Sequence, residues 1–210
     1  MGNLAAGTLV AASLLLAPTA QTATDRIRIV AIGDSLTAGY GLAQGEGFVP
    51  RLDRWLDAHG APAVELVNMG VSGDTTAGGR ARLGWALADG ADAVIVALGG
   101  NDLLRGVDPA ETRRNLDTML AELGERGLPV LLISIEAPLN YGPEYKESFD
   151  SIYPDLAAQY GTLEACWCLE ELADDRSLVQ EDGLHPSAKG VDRLVDRLGP
   201  AVLDLIARVD

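Results

Sequence analysis

The stretch Ile29-Val30-Ala31-Ile32-Gly33-Asp34-Ser35-Leu36 decides the fold, because an apolar run ends there in Gly-Asp-Ser and a helix-compatible sequence follows. Such a run predicts a buried parallel strand, and the turn after it predicts the head of a helix. In an open α/β sheet this turn lies at the carboxyl edge of the strands, where ligands bind. Ser35 is therefore a candidate nucleophile. Its plain alternative is a helix cap, a role in which serine is common.

Apolar runs and helix-like segments alternate along the rest of the chain with no break in composition. Strands are predicted over 26–32, 64–69, 93–98, 130–135 and 163–169. Helices are predicted over 48–59, 74–87, 108–126, 144–160 and 187–208. Asp74 and Asp108 are the expected N-caps, and breaks are expected at Pro154 and at Gly199-Pro200. This order predicts a single three-layer α/β domain with a mainly parallel sheet over residues 25–210.

Composition and net charge make some classes of binding partner less compatible with this chain than others. The chain has 210 residues, of which 48% are hydrophobic and 22% charged, as in a globular domain. The formal net charge of −15 disfavours nucleic acids and anionic membrane surfaces as partners. Neither a Walker loop nor Gly-x-Gly-x-x-Gly follows the first strand, so nucleotide binding is not supported.

The first 24 residues contain no charged side chain, and residues 9–17 are mostly apolar. Small or polar residues follow at 18–23, which is typical of a secretory signal. The apolar run is too short for an ordinary membrane span. We therefore expect a periplasmic or secreted protein without stable membrane insertion after processing. If the segment is instead a flexible extension or a wrongly assigned start, a cytoplasmic location is expected.

Cys166 and Cys168 are separated by one residue. On a strand they would point to the same face, and the restrictive geometry of a disulfide disfavours a bond across one residue. Two thiols in the core are expected. Without a cluster of histidines or carboxylates they do not predict a zinc site.

A serine becomes a nucleophile when a base takes its proton, and that base is usually a histidine held by a carboxylate. The chain has two histidines. His59 closes a predicted helix and is expected to be structural. His185 lies in a polar loop, three residues after Asp182, and this carboxylate could hold one of its ring nitrogens. Asp-x-x-His by itself is a weak motif.

Acyl transfer also needs hydrogen-bond donors directed at the oxyanion. The turns after the first three predicted strands offer the backbone N–H of Ser35, the N–H of Gly73 and the side-chain amide of Asn101. Each residue has a plain alternative as a turn or cap residue. All three nevertheless fall at one sheet edge, where Ser35 is expected.

Four blocks of the chain together resemble the GDSL or SGNH hydrolase family: Gly33-Asp34-Ser35-Leu36, Val71-Ser72-Gly73-Asp74-Thr75, Gly99-Gly100-Asn101-Asp102 and Asp182-Gly183-Leu184-His185-Pro186. Longer matches around the second and third blocks, with Leu139-Asn140-Tyr141-Gly142, resemble its bacterial periplasmic thioesterase, arylesterase and lysophospholipase branch. The resemblance implies a flavodoxin-like α/β/α fold with sheet order 2-1-3-4-5, and no metal or other cofactor.

The same resemblance assigns roles to individual residues. It implies Ser35 as the nucleophile, His185 as the base and Asp182 as its orienting group. It also implies that Ser35, Gly73 and Asn101 form the oxyanion hole, and that Asp34 is structural.

Two further segments are expected near the acyl group. In the loop over 137–145, Ala137, Leu139, Asn140 and Tyr141 are candidates for the substrate pocket, although a solvated loop is an equal alternative. The segment 162–171 departs from the Pro- and Phe-rich sequence expected of the branch. Because it leads into the loop of Asp182 and His185, we expect it to alter the acyl pocket rather than the triad.

The expected function is hydrolysis of small-molecule esters or thioesters by a monomeric serine hydrolase. Two alternatives stay open. The same triad could serve a carbohydrate O-deacetylase or another small-acyl esterase. A non-catalytic ligand-binding module on a flavodoxin-like fold is less compatible with a complete set of Ser35, Asp182 and His185. A flavin-binding protein is disfavoured.

Overall fold

A computed structural model describes residues 26–209, together with Met1 and Gly2. The predicted signal segment lies almost wholly outside the described residues, and the boundary at residue 25 stays a prediction. Within the described part, no helix is both long enough and apolar enough to cross a membrane.

Five strands form one sheet in which every pairing is parallel. The spatial order is β2-β1-β3-β4-β5, as the resemblance implied. The strands are β1 (Ile27–Gly33), β2 (Val64–Gly70), β3 (Ala93–Ala97), β4 (Val130–Ser134) and β5 (Leu163–Cys166). The order reverses beside β1, so the carboxyl ends of β1 and β3 flank the crevice where ligands bind in such sheets.

Helices cover both faces of the sheet. They are α1 (Ser35–Ala38), α2 (Phe48–Ala58), α3 (Thr76–Ala81), α4 (Leu83–Ala86), α5 (Gly100–Leu104), α6 (Pro109–Glu125), α7 (Pro143–Asp150), α8 (Ile152–Tyr160), α9 (Glu170–Ala173) and α10 (Ala188–Ile206). Short 3₁₀ turns lie at Leu139–Tyr141 and Arg176–Leu178.

Alternating residues of each central strand enter two separate cores. On β1, Ile29 and Ala31 pack with α2 and α10, whereas Val30 and Ile32 face the layer that contains α4, α6 and α8. All four side chains are buried. This double burial explains the continuous apolar runs, and it confirms the predicted three-layer architecture.

The structure tests the two predicted N-caps, Asp74 and Asp108. Asp108 caps α6, where its carboxylate accepts a hydrogen bond from the N–H of Ala110 at 2.9 Å, so this prediction is confirmed. The prediction for Asp74 is wrong, because the side chain of Thr75 caps α3. The Asp74 carboxylate instead pairs with Arg82, which separates α3 from α4 where one helix was predicted.

The helix break expected near Pro154 is confirmed, whereas the break expected at Gly199-Pro200 is wrong. Pro154 lies in the first turn of α8, where backbone N–H groups have no partner within the helix in any case. The interruption of the predicted helix falls earlier, at Ser151. Pro200 lies on the exposed side of α10, and the helix continues through it because buried residues on both sides of the proline anchor it to the core.

The prediction of two free thiols is wrong as well, because Cys166 and Cys168 are joined in a disulfide. The strand ends at Cys166, earlier than predicted, and Cys168 has a φ of 46°. The two Cα atoms lie 5.1 Å apart, within the range that a disulfide spans, and the positive φ of Cys168 turns the chain away from the strand direction.

Candidate active site

The head of α1 brings Ser35 to the carboxyl edge of the sheet, as predicted. Its Oγ lies 2.8 Å from Nε2 of His185, and Nδ1 of the same ring lies 2.6 Å from Oδ2 of Asp182. A carboxylate only accepts hydrogen bonds, so Nδ1 carries the proton and Nε2 accepts from the serine hydroxyl. The structure thus joins Ser35, His185 and Asp182 in one continuous chain of hydrogen bonds.

Hydrogen bonds from backbone N–H groups to the Asp182 carboxylate fix the loop that carries His185. Oδ1 of Asp182 accepts from the N–H groups of Leu184 at 2.9 Å and His185 at 3.0 Å. These two bonds and the bond from the His185 ring hold the pKa of Asp182 at about 2. Gly183, with a φ of 71°, provides the reversal that this geometry needs. Asp182 is therefore ionised at neutral pH.

Two residues that the sequence did not single out support the imidazole. The Tyr40 ring lies against the His185 ring, with 4.7 Å between centroids. The Gln180 amide donates to the carbonyls of Tyr40 at 2.8 Å and Pro186 at 3.0 Å. Gln180 therefore links the loop after α1 to the loop of the histidine. No motif or periodicity in the sequence marks Tyr40 as a neighbour of His185.

Asp34 is buried directly beside the serine, with 4% of its surface exposed. Its Oδ1 accepts from the N–H of Leu36 at 3.0 Å and caps α1, while Oδ2 lies 3.4 Å from Nδ2 of Asn101. Burial raises the pKa of Asp34 to about 6, although these bonds and the charge of His185 counteract the rise. This placement fits the structural role that the resemblance implied.

The three expected oxyanion donors come from three adjoining turns. Ser35 begins α1 and Asn101 lies in the first turn of α5, and both line the same cavity. Gly73 adopts a φ of 83°, and its carbonyl accepts from Arg105 at 2.7 Å. Gly73 lies in the adjoining turn after β2 and is not among the residues that line the cavity.

Arg82 ties the turns of Ser35 and Gly73 together, which the sequence did not predict. Its guanidinium pairs with Asp74 at 2.6 Å and donates to the carbonyls of Met69 at 2.7 Å and Gly33 at 2.9 Å. Both charged side chains are largely buried, with 16% and 13% exposed. One side chain thus connects the ends of β1 and β2 to the turn that carries Gly73.

A cavity of 590 Å³ opens beside the serine. Its lining includes the four predicted pocket residues Ala137, Leu139, Asn140 and Tyr141. Most of the other lining side chains are apolar: Leu36, Leu103, Leu104, Ile135, Leu169, Leu172, Val179 and Leu184. Of these, the sequence placed only Leu169 near the acyl group, as part of the segment 162–171. These side chains come from six separate segments, so periodicity within one segment could not have found them.

Charged side chains also reach the cavity. Glu136, Lys146 and Glu170 belong to its lining. The Lys146 ammonium is bound by Asp150 at 2.6 Å, Glu136 at 3.4 Å and the carbonyl of Ala137 at 2.9 Å. These contacts raise the pKa of Lys146, chiefly through the bond to Asp150. The lysine therefore fixes the loop that carries Ala137.

His59 lies away from this site, at the end of α2. Its ring stacks on Trp55 with 3.7 Å between centroids, and its Nδ1 lies 2.7 Å from the Trp55 carbonyl. These contacts close the helix, which matches the structural role expected for this histidine.

Within the described residues, the group of potential metal ligands found is Glu136 with Cys166 and Cys168. Because the two sulfurs are bonded to each other, they offer no thiolate to a metal.

Comparison with known proteins decides the family. Residues 31–193 match the GDSL-like Lipase/Acylhydrolase family. The chain belongs to this family. It is a serine hydrolase that acts on esters.

Individual relatives agree with this assignment. Esterase TesA of Pseudomonas aeruginosa is 38% identical over 179 residues, which cover 85% of this chain and 89% of that protein. Thioesterase 1/protease 1/lysophospholipase L1 of Escherichia coli K12 is 33% identical and covers 85% of this chain and 84% of its own length. Among solved structures, AlinE4, an SGNH-hydrolase family esterase, superposes with a TM-score of 0.72 at 46% identity, covering 86% of this chain and 96% of its own.

Proposed function

We propose that this GDSL-like hydrolase cleaves carboxylic esters and thioesters through an acyl-enzyme on Ser35. The observation that carries the proposal is the Ser35, His185 and Asp182 hydrogen-bond chain at the mouth of an apolar cavity. His185 Nε2 takes the proton of the serine hydroxyl as Oγ attacks the carbonyl carbon. Asp182, ionised throughout, stabilises the imidazolium that forms.

The negative charge of the tetrahedral intermediate needs donors at the sheet edge. We assign this task to the backbone N–H of Ser35, the N–H of Gly73 and the side-chain amide of Asn101. The position of Ser35 at the head of α1 supports its part, because the first N–H groups of a helix have no partner within it. The Asn101 amide is held beside Asp34 without a strong competing acceptor, since that bond is 3.4 Å long.

Collapse of the intermediate requires a proton for the leaving group. His185 gives the proton from Nε2 to the departing alkoxide or thiolate, which leaves the acyl group on Ser35. A water molecule then attacks the acyl-enzyme while His185 takes one of its protons. His185 returns that proton to Oγ of Ser35 as the carboxylic acid leaves. The hydrogen bond from Nδ1 to Asp182 keeps Nε2 of His185 directed at Ser35 in both half-reactions.

The cavity supports acyl chains of medium length as substrates. Its volume of 590 Å³ is within the range of about 300–1,000 Å³ that is typical of small-molecule sites. Its apolar wall suits an alkyl or aryl acyl group better than a sugar, which would need many hydrogen-bond partners. For this reason we do not favour the carbohydrate O-deacetylase. The short hydrogen bonds around His185 likewise argue against a non-catalytic binding module.

A series of p-nitrophenyl esters from acetyl to palmitoyl tests this function, with Ser35→Ala as the matched variant. We expect activity to peak at medium chains in the natural protein and to be nearly absent in Ser35→Ala, with the fold intact by circular dichroism. Activity confined to the acetyl ester would favour the deacetylase. Equal rates in both proteins would remove Ser35 from the mechanism.

We further propose that residues 1–24 direct export, that residues 25–210 act as one domain and that the enzyme is a monomer. The uncharged apolar start of the chain supports the first point. Expression with the full leader tests it, because export predicts a shortened N-terminus in the secreted or periplasmic fraction. Sedimentation of the purified protein tests the oligomeric state.

A further inference from the structure

The segment that departs from the expected family sequence forms part of the cavity wall. β5 ends at Cys166, the chain turns at Cys168, and the short helix α9 begins at Glu170. Leu169, Glu170 and Leu172 line the cavity directly after this turn. The turn therefore decides where one wall of the cavity stands relative to Ser35.

The residue before the turn is firmly anchored. Trp167 is 2% exposed, and its ring packs edge-on against Phe48 with 4.8 Å between centroids. The backbone N–H of Trp167 donates to the carbonyl of Ser134 at 2.9 Å, which extends the pairing of β5 with β4 by one hydrogen bond. Trp167 thus gives the wall a fixed point in the core below α2.

The wall beyond the turn has fewer constraints. Leu172 is buried, but Leu169 is half-buried and Glu170 is exposed. Glu171 of α9 forms an ion pair with Arg197, and both side chains are more than one-third exposed. Exposed pairs of this kind contribute little to stability. A helix of four residues does not hold itself in place either.

Cys168 is in a conformation that the wall depends on. Its φ of 46° is the one positive φ of a non-glycine residue in the described part of the chain. Residues other than glycine rarely adopt this region without a surrounding constraint. The bond to Cys166 supplies such a constraint, because it fixes the direction of the chain between the anchored Trp167 and the wall residue Leu169.

We propose that the Cys166–Cys168 disulfide is a specificity-determining constraint, which holds the Leu169–Leu172 wall of the cavity and so sets the acyl lengths that the enzyme accepts. The inference rests on the proposed function, in which this cavity receives the acyl group. Neither cysteine lines the cavity or belongs to the Ser35, His185 and Asp182 hydrogen-bond chain, so loss of the disulfide should change selectivity and leave the chemical step intact.

The test compares three forms of the enzyme on the p-nitrophenyl ester series. The first is the oxidised natural protein, and the second is the same protein treated with tris(2-carboxyethyl)phosphine. The phosphine and one water convert the disulfide into two thiols and a phosphine oxide, and no thiol reagent is present to attack the acyl-enzyme. The third is Cys166→Ser/Cys168→Ser, which lacks the bond under all conditions.

The chain contains only these two cysteines, so thiol titration in denaturant reports directly on the bond. We expect no thiols before reduction and two afterwards. In the reduced protein and the double variant, the ratio of kcat/KM between the best ester and the longest one should fall about tenfold, a typical discrimination of an apolar pocket. The acetyl ester should keep its rate within about twofold. The phosphine should not alter the double variant, which controls for other effects of the reagent.

A fourth protein separates the covalent bond from the backbone conformation. Cys166→Ser/Cys168→Gly lacks the bond, but glycine adopts the same φ readily. We expect it to lose selectivity like the other double variant. A natural chain-length profile in this protein, or in the reduced enzyme, would overturn the proposal.

Two more outcomes would also overturn it: two thiols before reduction, or an equal loss of activity on all esters, which would mean that the bond supports the whole fold. Ser35→Ala is run in parallel. Activity in that variant would contradict the proposed function. The role of the disulfide is tested separately, by the thiol count and by the ratio of kcat/KM between the best and the longest ester.

Discussion

At the scale of single residues, the buried carboxyl of Asp34 is an unfavourable feature next to Ser35, the proposed nucleophile. Its pKa of about 6 lies above the ordinary value of 3.8, so the folded protein binds this proton more tightly than the unfolded chain. Between these two values the folded state therefore holds more protons, and stability falls as the pH rises. Above pH 6 the full cost of about 3 kcal/mol is present.

Asp34→Asn should remove this cost, because an amide remains neutral and its oxygen can still accept the hydrogen bond from Leu36. We expect the variant to be more stable than the natural protein at pH 8 and to lose this advantage below pH 4. Urea unfolding at pH 4, 6 and 8 measures the difference. A difference that does not change with pH would show that Asp34 is not the titrating group.

Asn101 makes a second prediction at this scale. Asn101→Ala removes one of the proposed oxyanion donors, and the loss of one such donor typically lowers kcat by about 10²–10³-fold. KM should change little, because the charge that the amide stabilises exists only in the transition state. Steady-state kinetics on the best ester checks this. The remote surface variant Gln159→Ala serves as a control, and a large rise in KM at constant kcat would assign Asn101 to substrate binding instead.

At the scale of the elements, Arg82 connects two strands to the turn of Gly73. Arg82→Ala would leave the Asp74 carboxylate without its partner in a largely buried place. Such a loss costs about 3–5 kcal/mol. The double variant Arg82→Leu/Asp74→Asn should recover only part of this, since the carbonyls of Gly33 and Met69 also lose their donor. Urea unfolding gives both values, and a cost below about 1 kcal/mol would place the pair among ordinary surface ion pairs.

Two glycines in regular elements allow a matched comparison. A Cβ on Gly70, at the end of β2, would lie 2.3 Å from the backbone nitrogen of Ala38 in α1. Gly70→Ala should therefore push the helix of Ser35 aside, which costs about 1–3 kcal/mol as overpacking and lowers kcat. Gly124 is exposed in α6 and has nothing within 4 Å of its Cβ position. Gly124→Ala should stabilise the protein by about 0.5–1 kcal/mol without affecting kcat. Thermal unfolding and ester hydrolysis of both variants measure the contrast, and similar results for the two would contradict it.

The sequence predicts the elements well where local patterns decide them. The run at residues 29–32 and the cap at Asp108 are local features, and both predictions are confirmed. Pro200 shows the limit, because a proline costs a helix about 3 kcal/mol, but the buried residues of α10 on both sides of it gain more from packing on the sheet. The role of Asp74 was hidden for a similar reason, since its partner Arg82 lies beyond the next helix.

The candidate site also has one part that short motifs predict and another part that depends on the fold. Ser35, Asp182 and His185 stand in short motifs, and the structure brings them together at hydrogen-bonding distance. The cavity wall is built from segments as far apart as Leu36 and Leu184, so its composition depends on the fold and not on any one pattern. The disulfide was missed because an isolated strand geometry was assumed through Cys168, where the chain in fact turns away from the strand direction.

At the scale of the whole molecule, the charge of −15 acts on any charged substrate that approaches. The cavity adds Glu136 and Glu170 to this field, and its Lys146 is neutralised by acidic partners. Arg105 follows the lining residue Leu104 in the chain, and one of its nitrogens is bound to the carbonyl of Gly73. A polyanionic leaving group such as coenzyme A should therefore meet repulsion that a neutral one does not.

This field predicts a difference between two thioesters with the same acyl group. For octanoyl-coenzyme A we expect a lower kcat/KM than for octanoyl-N-acetylcysteamine, because the scissile bond is the same and only the charge of the leaving group differs. Added salt should narrow the gap, since the Debye length shrinks from about 30 Å at 0.01 M ionic strength to about 8 Å at 0.15 M. Stopped-time assays of both substrates at the two ionic strengths test this. If the coenzyme A thioester is instead preferred at low salt, Arg105, next to the lining residue Leu104, and Arg176, which lies 3.7 Å from the Cβ position of the lining residue Gly183, are nearby cations that would explain it. The double variant Arg105→Gln/Arg176→Gln should then abolish the preference. In that case the local charge at the mouth, rather than the net charge of the chain, governs which thioesters reach Ser35.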